Sequence, residues 1–230
     1  MSNKVTCFLP CRQGSQRVPK KNIKPFAGFD NGLIEIKLKQ LLSSKRIDEI
    51  VLSTNDSEII EFAQSVQDKR LVVHKRDEEL ALSSTSTDEL VAHAASLISE
   101  GHILWTHVTS PFINADQYDD ILDIYFKQLE SGFDSLMTTS KIYGFLWENG
   151  IPLNYDRAIE KWPRTQTLEP IHEVNSGAFI APLSVYKELD DRIGESVYLY
   201  PLDKLVSHDI DWVEDFIIAE SLVEKGLVAL

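Results

Sequence analysis

Short apolar runs alternate with amphipathic stretches along most of this chain, and that alternation leaves few folds open. Residues 5–9 read as a buried strand, and residues 32–44 place apolar side chains at helical spacing. The pattern then predicts a strand over Glu49–Thr54, a helix over Ser57–Val66 and a short strand over Leu71–His74. A helix over Ser86–Ser99 follows, started by Ser86 or Thr87. Ile103–Val108, Ser135–Thr139, Gly177–Pro182 and Tyr198–Pro201 read as further strands, and Ala115–Gln128 and Asp211–Glu224 as helices. This order predicts an α/β domain with a mostly parallel twisted sheet and helices on both faces. The length of 230 residues suits one such domain. In sheets of this kind ligands bind at the carboxyl ends of the strands. Residues 10–24, Ser53–Asp56 and Thr109–Pro111 all follow predicted strands, so they should converge there.

Residues 141–173 break the alternation. Trp147, Asn149-Gly150, Pro152, Trp162 and Pro163 signal a hairpin or irregular structure. The expectation is an arm or flap leaving the sheet. Its aromatics either cover a second copy of the chain, giving a homodimer, or fold back as a satellite cluster on their own domain.

The loop after the first strand carries Arg12, Gly14, Ser15, Arg17, Lys20, Lys21 and Lys24. Fixed cations and a close-approaching glycine backbone suit a polyphosphate, although neither GxxxxGK[ST] nor GxGxxG is present. Charge distribution favours that reading over a merely solvated loop. The whole chain carries −13, yet residues 1–46 hold ten Lys/Arg against Asp30 and Glu35 alone. So local a basic patch in so acidic a protein suits one small anion, not nucleic acid. No apolar run reaches membrane-spanning length, and the first residues lack a signal-peptide pattern, so the expected compartment is the cytoplasm. Cys7 and Cys11 form neither a disulfide framework nor a metal knuckle, and GxSxG is absent.

The acidic segment His208–Asp215 offers two readings. Asp211 with Glu214 fits a helix capping box. Asp209 and Asp211, two apart in an extended stretch, would instead project to the same side and suit Mg²⁺ shared with substrate phosphates. The basic loop tips the balance toward metal.

Taken together, these segments resemble the acylneuraminate cytidylyltransferases (CMP-sialic acid synthetases) over nearly the whole chain. Leu9-Pro10-Cys11-Arg12-Gln13-Gly14-Ser15-Gln16-Arg17-Val18-Pro19-Lys20-Lys21-Asn22 resembles that family's opening motif. Arg76 with Glu79-Leu80-Ala81, Thr109-Ser110-Pro111, Arg164-Thr165-Gln166 with Asn175-Ser176-Gly177, and Asp209-Ile210-Asp211 match its later motifs. Departures occur at Cys11, Gln16, His107-Val108, Phe112-Ile113 and Glu173, mostly on the acceptor side. They leave the sugar's identity open among N-acetylneuraminic, legionaminic and other nonulosonic acids.

The resemblance implies transfer of CMP from CTP to the anomeric hydroxyl of a nonulosonic acid, with pyrophosphate released, in support of cell-surface polysaccharide synthesis. It implies catalytic Arg12, Lys21, Asp209 and Asp211, with Mg²⁺ on the two aspartates. Gly14, Ser15, Asn22, Arg76, Ser83, Ser84 and Ser86 would hold CTP. His107, Arg164, Gln166 and Asn175 would hold the sugar. Each has an ordinary alternative: Arg76 as an ion-pair partner of Asp77 or Glu78, Asn175 as a turn residue, Arg164 as a surface cation. A Kdo-type nucleotidyltransferase, a metal-dependent glycosyltransferase and a non-catalytic nucleotide-binding regulator are the competing functions.

Overall fold

In the computed structural model, which describes residues 2–230, the alternation becomes one seven-stranded sheet. The strands are β1 (Val5–Pro10), β2 (Glu49–Thr54), β3 (Leu71–Lys75), β4 (His102–Trp105), β5 (Ser135–Ile142), β8 (Ile171–Pro182) and β9 (Val197–Pro201), with β6 (Trp147–Glu148) and β7 (Ile151–Pro152) forming a separate hairpin. The helices are α1 (Gly32–Ser43), α2 (Ser57–Ser65), α3 (Thr87–Leu97), α4 (Ala115–Glu130), α5 (Leu183–Glu188) and α6 (Val213–Glu224). Strand order is β3-β2-β1-β4-β8-β5-β9. Neighbours are parallel except around β8, which runs antiparallel to both β4 and β5. The order reverses between β1 and β4, the switch point where a doubly wound sheet opens a crevice.

The strands read as continuous apolar runs because both sheet faces are covered. Along β1, Val5, Cys7 and Leu9 enter one core while Phe8 enters the other. The first core packs against α1, α2, α4 and α6 through residues such as Leu38, Ile59, Tyr125 and Phe216. The second packs against α3 and α5 through Val91, Ala94, Val185 and Tyr186. Leu104 on β4 and Ile180 on β8 join the first core, and their neighbours Ile103, Trp105, Phe179 and Ala181 join the second. Period-two alternation thus sorts each strand between two helix layers.

Several boundaries differ from the sequence reading. β4 ends at Trp105, not Val108, because the chain turns to form the site wall from Thr106 onward. β5 and β8 run beyond the predicted ends because they pair with each other as far as Ile142 and Ile171, with a register break between Met137 and Thr139. Residues 141–142 and 171–173 are therefore strand, and only the stretch between them leaves the sheet. α5 was not anticipated: it is a six-residue helix directly after Pro182. α6 starts at Val213, two residues late, because the Asp215 carboxylate accepts the backbone N–H groups of Asp211 and Trp212. Asp215, not Glu214, is the capping acid, and Asp211 is left for other work.

The extra stretch holds the β6–β7 hairpin. Its turn, Asn149-Gly150, has both residues at positive φ (49° and 81°), which fits a two-residue hairpin loop. Phe145, Trp147, Tyr155 and Trp162 cluster there, with the Arg157 guanidinium over both indoles. The cluster leaves Trp162 61% and Ile159 87% exposed. Gly32 closes the basic loop onto α1. Its φ is +56°, and a Cβ there would lie 1.9 Å from the Lys24 carbonyl oxygen, so no side chain is accommodated.

Candidate active site

The crevice at the β1/β4 switch point is a cavity of about 700 Å³. Its wall combines the end of β1 (Pro10, Cys11, Arg12), the basic loop (Ser15, Gln16, Arg17, Lys21, Asn22) and the end of β4 (Trp105, His107, Val108, Thr109). Arg76, Ser83, Thr87 and Leu90 complete one side, and Ser176 and Arg192 another.

The loop is tied down by its own backbone. Cys11 N–H donates to the Ser53 carbonyl, Gln13 N–H to Asn55 Oδ1, and the Asn22 side-chain amide to the Arg12 carbonyl. Positive φ at Gly14 (85°) and Lys20 (53°) makes the turns. Lys21 is thereby driven into the protein, 8% exposed, where Nζ donates to the Ile210 carbonyl at 2.7 Å and to Asp211 Oδ1 at 3.0 Å. Arg17 reaches the same Oδ1 at 3.1 Å. Residues 190 positions apart in sequence therefore meet, and Asp211 Oδ2 keeps no partner among the described residues.

Asp209 sits half-buried beside this pair. Burial pushes its carboxyl above the usual range and Asp211 adds to the effect, opposed by hydrogen bonds from Thr109 and Ser110 and by the charge of Lys21. The Thr109–Pro111 segment that carries it is itself held from below. Lys37 on α1, fully buried, donates to the Ser110 carbonyl and to the Tyr118 hydroxyl, and Gln40 donates to the Pro111 carbonyl. Burial brings the Lys37 ammonium down to about 7. Asp209 and Asp211 also line a second cavity of about 1190 Å³, together with Lys141, Asn175 and His208. Ser176 borders both cavities; neither aspartate lines the first, and Asp211 meets it through its contacts with Lys21 and Arg17.

The remaining expected site residues divide. Arg76 is 2% exposed and pairs with neither Asp77 nor Glu78. Its Nε donates to Ser53 Oγ and its NH2 to the Ser53 carbonyl. Ser83 and Ser15 line the first cavity. Gly14 and Ser84 do not, and Ser86 is spent as the N-cap of α3 in a capping box with Glu89, so Thr87 faces the crevice in its place. Asn175 is occupied as a turn residue: its Oδ1 accepts from Thr138 Oγ1 and from the Gly177 N–H, and its amide donates to Ser140. Arg164 and Gln166 are exposed on the extra stretch and line neither cavity, because the chain leaves the sheet before reaching them. Cys7 and Cys11 are free and buried, and burial lifts the Cys11 thiol to about 12, which removes it as a nucleophile.

Trp105 and Arg192 are site-lining residues that the motifs did not mark, and Ser176 lines the site although only its neighbour Asn175 was expected to. Trp105 fixes His107: its indole N–H, donor only, gives its proton to His107 Nε2 at 2.7 Å, which leaves Nδ1 carrying the ring proton. Ser53 Oγ, which accepts from Arg76 Nε, lies 2.9 Å from His93 Nε2. Burial, with nearby cations, brings both rings from 6.5 down to about 4. Between those values the unfolded chain binds protons that the folded chain refuses. Stability from these two groups is complete above pH 6.5 and is lost as pH falls toward 4. The urea midpoint should drop from pH 7 to pH 5, and His93→Gln with His107→Gln should flatten that drop. An unchanged slope in the double variant would contradict the neutral rings.

A sequence model of a family described as Cytidylyltransferase matches residues 6–159. A pseudaminic acid cytidylyltransferase of Campylobacter jejuni subsp. jejuni serotype O:2 is 27% identical over 95% of this chain and 96% of that protein. An N-acylneuraminate cytidylyltransferase of Escherichia coli O18:K1:H7 is 25% identical over 98% of this chain and 53% of that longer protein. Among solved structures, a CMP:2-keto-3-deoxy-manno-octonic acid synthetase complexed with CTP superposes with a TM-score of 0.65 at 13% identity, over 97% of this chain and 99% of that one. A 4-diphosphocytidyl-2C-methyl-D-erythritol synthase from Anaerococcus prevotii gives 0.66 at 14% identity, over 96% of each chain. At such identities these two structures speak to the fold.

Proposed function

Because the chain belongs to the cytidylyltransferase family, a family of nucleotidyltransferases, we propose that it joins CMP from CTP to the anomeric hydroxyl of a nonulosonic acid and releases pyrophosphate. The observation that carries this reading is the Lys21–Asp211 contact, which links the switch-point cavity to the cavity lined by the two aspartates. It brings the cations of the switch-point cavity against the carboxylate pair of the neighbouring cavity. Relatives named for pseudaminic and N-acylneuraminic acids span almost all of this chain, so the acceptor is proposed at the level of the nonulosonic acids.

In-line attack of the acceptor hydroxyl on the α-phosphorus asks little covalent chemistry of the protein. Positioning and charge neutralisation dominate. Arg12, Lys21 and the Ser15 backbone would hold the triphosphate and the departing pyrophosphate. Lys21 uses two donors on Ile210 and Asp211, which aims the third. Arg76, locked on Ser53, and Ser83 with Thr87 would face the cytidine. His107, held neutral, would donate from Nδ1.

The residues present fit Mg²⁺. No cluster of three His, Cys, Asp or Glu occurs among the described residues. Mg²⁺ in phosphate-transfer sites needs only one or two carboxylates, with substrate oxygens and water completing its shell. Asp209 and Asp211 supply that number, and Asp211 Oδ2 is free among the described residues. Bound there, the ion would offset the negative charge of the phosphates and lower the acceptor hydroxyl's pKa.

The exposed Trp162, Ile159 and Ile151 on the extra stretch are read as the face of a homodimer. Arg164 and Gln166 on that stretch could then reach an acceptor only in a second copy's site. The test of the function is pyrophosphate release from CTP with pseudaminic, legionaminic, N-acetylneuraminic and Kdo-type acceptors, beside the other nucleoside triphosphates. Turnover confined to CTP and at least one nonulosonic acid is expected. Turnover with Kdo alone, or with no acceptor, would replace the reading.

A further inference from the structure

We infer that Arg192 is a specificity-determining residue that holds the acceptor through a carbonyl-type oxygen, a carboxylate or an acyl group. The inference rests on the cytidylyltransferase reading of the same cavity. Arg192 follows α5 and lies outside every motif that suggested the function. Its side chain lines the switch-point cavity with Ser176 and His107. The guanidinium carbon lies 3.6 Å from the centre of the Phe179 ring and 5.3 Å from that of Trp105. Aromatic contacts of this kind occupy the flat faces of a guanidinium and leave its N–H edge for acceptors.

No acceptor for that edge comes from the protein. Among the described residues the Arg192 side chain makes neither a hydrogen bond nor an ion pair, although it is half-buried. Half-buried guanidinium donors without partners are expensive unless water or a ligand meets them. The other loop cations that reach Asp211, Arg17 and Lys21, already share a carboxylate. Arg192 is different: it is held by aromatic packing alone, so its full charge faces the crevice.

Trp105 organises both donors on this wall. It packs under Arg192 and fixes His107 with Nδ1 protonated. Trp105 is 1% exposed and packs edge-on against Phe8 at 4.8 Å, so the wall is rigid. A charged fork beside a neutral N–H donor matches oxygens of a polyhydroxylated acid. A triphosphate would call for more cations on this wall, and the cations of the opposite loop already provide them.

The test is steady-state kinetics on Arg192→Gln and Arg192→Lys. For Arg192→Gln, KM for the acceptor should rise about tenfold or more, while KM for CTP stays within about twofold. Arg192→Lys keeps the charge and stem but loses the fork, and should recover part of the loss. Acceptors with and without acylamido groups separate the two oxygen sources. A penalty present on both identifies the carboxylate, and one confined to acylated acceptors identifies the acyl carbonyl. A raised KM for CTP, or an unchanged acceptor KM in a folded Arg192 variant, would overturn the inference and leave the enzyme reading intact. Absence of wild-type turnover on every nonulosonic acid would instead remove the parent reading.

Discussion

Replacing Asp211 with Asn is expected to cut nucleotidyl transfer by about a thousandfold or more while leaving the fold intact. The carboxylate sits between Lys21 and Arg17 through one oxygen, and the other has no partner among the described residues. Loss of one preorganised charge in a catalytic crevice typically raises the barrier by ~3–4 kcal/mol, about 10²–10³ in rate. Loss of a metal ligand as well pushes the effect to the upper end or beyond it. The fold should survive for three reasons. The Asp211 side chain is 42% exposed. Asparagine can still accept from Lys21. The cap of α6 comes from Asp215, whose carboxylate holds the Asp211 and Trp212 N–H groups. Pyrophosphate release and circular dichroism on the same preparation check both halves. Activity within tenfold of wild type would remove Asp211 from the chemistry.

Lys21→Met should strike the nucleotide side, with a smaller effect. The ammonium is nearly buried, with two of its three protons spent on Ile210 and Asp211. That geometry points the remaining proton, and a charge that water scarcely screens, at whatever enters the crevice. Charge-assisted hydrogen bonds are worth about 1.5–3 kcal/mol in the ground state and more where phosphate charge builds up. A drop in kcat/KM for CTP on the order of a hundredfold or more is expected. Methionine retains much of the apolar stem, so unfolding should contribute little. Nucleotide titration by calorimetry separates binding from turnover. Unchanged CTP affinity together with an unchanged rate would mean that the basic loop serves something else.

Much of the architecture was legible because it follows from local periodicity. β2 matches its expected bounds, and of the two expected starts of α3, Ser86 or Thr87, Ser86 is the cap. The Lys21–Asp211 meeting was legible only as a pair of motifs. Bringing them together required the topology, since the chain returns to the β4 end after building every other strand. Where local signals competed, tertiary contacts decided. Glu214 and Asp215 are equally good capping acids on paper, and the backbone geometry before Val213 selects Asp215. Asn175 lines the second cavity, and its Oδ1 also closes the turn at Ser176, whose φ is +58°.

Arg192 could not be read from sequence for a different reason. Its neighbours Trp105 and Phe179 lie on β4 and β8, paired antiparallel in register. A cation near them in space is an ordinary helix-to-strand loop residue in sequence. Lys37 shows the opposite case. It falls on the apolar side of α1, where a lysine seems misplaced, yet it is the buried prop beneath Ser110 and hence beneath Asp209.

The loop and the aspartate pair should close on the same triphosphate, and a crystal structure with CTP and Mg²⁺ shows that most directly. The expected density puts the α-phosphate between Lys21 and the Asp209–Asp211 pair, with the base toward Arg76 and Ser83. A nucleotide bound elsewhere, leaving the Lys21–Asp211 contact uncovered at saturating CTP, would contradict it.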